Sequence, residues 1–185
     1  MVPLASLWLP ILLSAVIVFF ASFVMHTVLT YHRSDYKQLP DEDRLLATLR
    51  SVSLKPGTYV LPYCLPKEMK TPAAIEKYKQ GPVGFLSVMP SGPPALPKFL
   101  VKWFIYSVVV GFFTAYVTAH TVAVGAHYLA VFRVAGTVAF MAYGLGEPIN
   151  AIWRGQTGSA TLKAMIDGLI YGLLTAGTFG WLWPR

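Results

Sequence analysis

The chain has 185 residues, of which 55% are hydrophobic and 12% charged, with a mean hydropathy of +0.55. A soluble domain carries about 25% charged residues, so these totals exclude an ordinary soluble globule and point to a polytopic membrane protein. The net charge of +7 is concentrated in residues 31–98, which hold ten Lys or Arg and six Asp or Glu. That pattern is a positive-inside signal rather than a nucleic-acid surface.

In chain order, residues 1–30 form the first expected transmembrane helix. Its apolar run from Leu4 to Met25 is broken only by Ser6, Pro10, Ser14 and Ser22, and it is long enough for a hydrocarbon core of ~30 Å. It lacks the basic start of a secretory leader and is expected to be retained. Residues 31–98 are the cytoplasmic loop region, punctuated by ten prolines from Pro40 to Pro97. Within it, Asp41-Glu42-Asp43 opens one short helix and Thr71-Pro72 opens another that Gly81 ends. Thr58–Leu61 and Val83–Met89 have strand character and could pair. This small, mixed, Pro-rich segment has little material for its own core, so it is expected to lie against the membrane face or a partner.

Residues 99–119 are the second span and 120–146 an outer turn followed by the third. Residues 147–160 are a cytoplasmic connection, and 161–185 hold the fourth span and the C-terminus. The fold class is therefore an all-α membrane protein of four transmembrane helices. Residues 31–98 and 147–163 carry twelve of the fifteen Lys and Arg, which places both segments in the cytoplasm and both termini outside it. Trp181 and Trp183 are expected as an interfacial anchor.

The most distinctive pattern is a small-residue stripe, Ala160, Ala164, Gly168, Gly172, Ala176 and Gly180, recurring every fourth residue. On a helix of 3.6 residues per turn it forms one narrow face, suited to close helix contact in lipid. It serves either assembly with another subunit or packing within the monomer.

Charge inside a span is costly and is a functional lead. Arg133 lies near the outer end of span three and Asp167 near the inner end of span four. Their depths differ by about 10 Å at 1.5 Å per residue, so a direct ion pair is not expected. Lys163, four residues before Asp167, could pair with it on the same face. His120 and His127 lie at the outer ends of spans two and three, His26 and His32 at the inner end of span one. The outer pair is the one considered for haem or metal, but no carboxylate accompanies it, and interfacial hydrogen bonding is the simpler assignment. Cys64 is the single cysteine, so an internal disulfide is excluded, and no neighbour marks it as reactive. The Tyr31–Lys37 run mixes aromatics with positive charge and is expected at lipid headgroups. No dinucleotide, phosphate-loop, nucleophile-elbow or zinc-protease motif is present, so no catalytic, cofactor or metal residue is assigned and no cofactor is expected.

Four segments, Tyr31-His32-Arg33-Ser34-Asp35-Tyr36, Lys67-Glu68-Met69-Lys70, Gly81-Pro82-Val83-Gly84 and Thr175-Ala176-Gly177-Thr178-Phe179-Gly180-Trp181, resemble those of an uncharacterised family of small bacterial four-span inner-membrane proteins. The resemblance implies only the four-span layout and transfers no catalytic or binding residue; the expected location is the bacterial inner membrane. The expected function is a non-catalytic accessory subunit of a larger inner-membrane complex, respiratory or photosynthetic. Its partners would be lipids and other membrane subunits or itself, not nucleic acid. The alternative is a small homo-oligomeric transporter or channel using Arg133 and Asp167.

Overall fold

The computed structural model describes residues 2–185. The described residues are predominantly helical and form two compact units, one comprising those up to Tyr36 together with Ala95–Arg185, the other Lys37–Pro94. In the first unit, a turn at Leu4–Leu7 leads into helix α1, Trp8–Phe23, which runs into a wide π-turn at Val24–Val28. Pro10 sits in the first turn of α1, where its missing N–H costs nothing. Ser14 and Ser22 donate to carbonyls three residues back, Ile11 O at 3.0 Å and Phe19 O at 2.8 Å, so this apolar helix leaves neither hydroxyl unpaired. A short helical turn follows at Tyr31–Asp35.

The second unit comprises helices α2, Glu42–Ser51, and α3, Pro72–Gln80, with strands β1, Gly57–Leu61, and β2, Gly84–Val88. The strands pair antiparallel, Gly57 opposite Val88 and Leu61 opposite Gly84. The Thr71 hydroxyl accepts the Ala74 N–H at 3.3 Å and caps α3. Among the hydrophobic residues of this unit only Ala74 is buried, whereas Leu45, Leu46, Val60, Ile75 and Phe85 are exposed. Cys64 is half-buried and free.

The first unit continues with α4, Leu96–Thr121, α5, Tyr128–Tyr143, α6, Pro148–Arg154, and α7, Gly158–Trp181. Helix α1 packs on α4 and α7, α4 on α5, and α5 on α7, giving a four-membered ring of long helices. Three stretches are long and apolar enough to cross a membrane: Leu4–Val28, Leu96–Thr121 and Tyr128–Arg154. Helix α7 has 24 residues but is not one of these. Lys163, Asp167 and its many Gly and Thr residues dilute its hydropathy.

The small-residue stripe is the contact face of α7 within the chain. A Cβ on Gly168 would lie 2.5 Å from Gly144 Cα and 2.7 Å from the Tyr143 carbonyl carbon, so the backbones of α7 and the end of α5 meet there. Gly172 sits against the Phe140 backbone, Ala176 against Gly136, and Gly180 against the Tyr128 ring. Ala160 and Ala164 lie beyond this contact, on the wall of a cavity.

At one end of the ring, Leu7, Ala119, Val131, Ala135, Phe179 and Trp183 form a closed apolar cluster. Trp183 is buried and its indole N–H donates to Ala123 O at 2.8 Å, whereas Trp181 is 74% exposed. The two tryptophans, expected as one anchor, therefore have different roles. The opposite end is polar.

Candidate functional site

The polar end is built by three short pieces of chain. The π-turn after α1, held by Leu29 N–H donating to Val24 O five residues back at 2.9 Å, carries His26. Such turns recur at functional positions because the widened ladder redirects side chains. The turn at Tyr31–Asp35 supplies Tyr31, His32 and Asp35. The N-terminal half of α7, started by the Thr157 cap on Ala160 N–H, supplies Lys163 and Asp167 on successive turns.

Asp167 is 3% exposed and is the focus. The Tyr31 hydroxyl donates to its Oδ1. His32 Nε2 lies 2.7 Å and His26 Nε2 3.6 Å from its Oδ2. His32 Nδ1 lies 2.7 Å from Asp35 Oδ2. The Lys163 ammonium donates to Asp35 Oδ1, Tyr31 O and Ser34 Oγ, each at 2.7 Å. A neutral imidazole has one N–H. Both ring nitrogens of His32 lie at hydrogen-bond distance from a carboxylate oxygen, and the tautomer sets which of them donates. The His32 ring is flanked by those of His26 and Tyr31, with centroids 4.5 Å and 4.2 Å away.

These contacts set the protonation of the groups outside the helices. Hydrogen bonds from Lys163 and then His32 hold the Asp35 carboxyl below its ordinary range. Burial, reinforced by the hydrogen bond to Asp167, pushes the Tyr31 phenol well above its usual value, so it remains a donor at any physiological pH.

The cluster opens on a cavity of about 600 Å³ walled by Trp103, Tyr106, Tyr143 and Tyr171, with Glu147 also on its lining. Trp103 donates its indole N–H to Ser22 Oγ at 2.8 Å, and Tyr106 its hydroxyl to Ala142 O at 2.9 Å, which hold two of the walls in place. The Tyr171 hydroxyl is buried and has no hydrogen-bond partner among the described residues.

The chain matches no family model, no curated protein and no solved structure. The site is therefore interpreted from its own geometry.

Several sequence expectations are corrected here. Lys163 does not pair with Asp167. Asp35 captures the ammonium, and the two histidines and Tyr31 take Asp167 instead. The Tyr31–Asp35 run, expected at headgroups, turns three side chains inward. Each outer histidine has one ring nitrogen on nearby backbone: His120 Nδ1 lies 2.7 Å from Tyr116 O, and His127 Nδ1 accepts the Leu129 N–H at 3.3 Å. Arg133 is exposed on α5 and makes no ion pair among the described residues.

Among the described residues, one group of His, Cys, Asp and Glu side chains has metal-ligand spacing: His26, His32 and Asp167, with ligating atoms within 4.8 Å of one another. The sequence reading assigned none of these as a metal ligand. One signal was available. In a four-span layout the end of the first helix and the start of the fourth share a depth, which brings His26 and His32 beside Asp167.

Proposed function

We propose that this is a four-span protein of the bacterial inner membrane that takes a small cation from the cytoplasmic side, as a transporter whose cation-binding carboxylate is Asp167. Helices α1, α4, α5 and α7 are the spans, with both termini outside the cytoplasm. The distribution of Lys and Arg supports this orientation, which turns the polar end toward the cytoplasm. The observation that carries the reading is the buried Asp167 carboxylate beside a cavity of about 600 Å³. An ionisable residue in a membrane helix is expensive, and it is kept where it binds an ion or relays charge. The buried apolar cluster around Phe179 at the other end favours alternating access over an open pore. Proteoliposomes carrying gradients of Na⁺, K⁺, Mg²⁺, Mn²⁺, Co²⁺ and Zn²⁺ test it. One of these cations is expected to move, with flux lost in Asp167→Asn and kept in Arg133→Ala. Absence of flux for all six, or full flux in Asp167→Asn, overturns the reading.

A second reading, the non-catalytic accessory subunit, is favoured by the Lys37–Pro94 unit. It leaves Leu45, Leu46, Val60, Ile75 and Phe85 exposed over a two-stranded sheet. Such a sheet is marginally stable alone, so a membrane face or partner subunit is expected to cover it. Mass spectrometry of the native-gel band after mild extraction tests this. Stoichiometric co-migration with other subunits supports it, and migration of this chain alone refutes it.

A further inference from the structure

We propose that His26 Nε2, His32 Nε2 and an Asp167 carboxylate oxygen bind a divalent first-row transition metal of the Zn²⁺ class. This deepens the transporter reading by naming its cation, and it rests on that reading only for the ion's role.

The donor set selects the class. Two imidazoles and one carboxylate suit Zn²⁺, Mn²⁺, Fe²⁺, Co²⁺ or Ni²⁺. Calcium and magnesium take oxygen ligands alone, and Cu(I) favours sulfur. The three donor atoms lie within 4.8 Å of one another. Ligand bonds of about 2.0–2.1 Å at a tetrahedral angle separate neighbouring donors by about 3.3 Å. His26 Nε2 and Asp167 Oδ2 are 3.6 Å apart, and the 2.7 Å His32–Asp167 contact has to open by about 0.6 Å to reach about 3.3 Å. The ion then takes the place of the direct His32 Nε2–Asp167 Oδ2 contact.

The surrounding shell is already arranged for a metal. Metal-binding histidines commonly donate the other ring N–H to a carboxylate, which fixes the tautomer and ring orientation. Asp35 does this for His32 Nδ1 and is itself anchored by Lys163. Tyr31 holds the other oxygen of Asp167. Three protein ligands leave a fourth position open, as exchangeable rather than purely structural sites do. Here that position faces the cavity lined by Glu147 and Tyr171.

The test is equilibrium dialysis of the tag-free full-length protein in detergent against Zn²⁺ and Co²⁺, with elemental analysis and the visible spectrum of the Co²⁺ form. One ion per chain is expected, with the absorption of a four-coordinate nitrogen–oxygen site. His26 is half exposed and makes no hydrogen bond among the described residues, so His26→Ala leaves the fold intact. It and Asp167→Asn should each weaken binding at least about tenfold, and Asp35→Asn by about ten- to a hundredfold through the orientation of His32. His120→Ala with His127→Ala should leave binding unchanged. Substoichiometric binding by the unaltered protein, or binding that survives His26→Ala combined with Asp167→Asn, overturns the proposal. Metal binding without flux in liposomes would remove the transporter reading and leave the site standing. Asp167-dependent Na⁺ or K⁺ flux without Zn²⁺ or Co²⁺ binding would do the reverse.

Discussion

Phe179 and Asp167 sit on the same helix, about 18 Å apart along its axis at 1.5 Å per residue, yet their surroundings are opposite. Phe179 is fully buried in an apolar cluster with Leu7, Val131 and Trp183, and of the buried threonines on α4 and α7 Thr114 and Thr175 have no hydrogen-bond partner among the described residues. Thr118 and Thr178 donate to carbonyls one turn back on their own helices. Asp167 is nearly as buried, but its partners come from distant parts of the chain, Tyr31 and His32, and space lies beside them. The difference shows how one helix is divided. Where lipid-like packing alone is needed, small residues and local hydrogen bonds suffice. Where a charge is buried, the chain converges several polar side chains on it.

The comparison can be broken at four points. The largest effect is expected at the seam joining both ends. Gly168→Val places side-chain carbon within 2.5–2.7 Å of the backbone around Gly144. Neither backbone can give way as a flexible side chain would, so no monodisperse protein should be recovered by size-exclusion chromatography in detergent. Next, Phe179→Ala should cost about 3–5 kcal/mol of unfolding free energy in micelles, because the closed end cannot collapse onto the void. Zn²⁺ binding at the polar end should nevertheless persist. Loss of both together would mean that the two ends are not independent.

Trp103→Phe removes the indole hydrogen bond to Ser22 and trims a ring that packs against Tyr106, Tyr143 and Tyr171, and should cost about 1–2 kcal/mol, read by the same unfolding measurement. A cost equal to that of Phe179→Ala would erase the contrast between a packed end and a hydrogen-bonded one. The smallest effect is expected for Arg133→Ala. The residue is exposed and without an ion pair among the described residues, so its stability should stay within about 0.5 kcal/mol of the parent and its cation flux unchanged.

Much of the architecture was readable before the fold. Apolar runs report long helices because their period and length are local properties. The Thr71 cap and the Gly81 stop are local for the same reason. The small-residue stripe was equally plain, but its partner was not. A stripe states that something comes close, and only the fold shows that α5 of the same chain fills it. The pairing of Lys163 with Asp167 was the natural inference from four-residue spacing. It gave way because Asp35, more than a hundred residues earlier, offers the ammonium an already hydrogen-bonded carboxylate.

By itself the sequence determined that this chain is mostly apolar helix, that its positive charge is segregated, and that one helix carries both a small-residue face and a buried acid. These follow from composition and short-range periodicity. Only the tertiary structure decided which histidines matter. His26, His32, His120 and His127 are alike as residues, and two of them are spent on nearby backbone atoms. The other two meet Asp167 because a π-turn and a short helical turn carry them to the level of its carboxylate. That convergence spans more than a hundred residues, and a three-dimensional path of that kind leaves no periodic trace in the sequence.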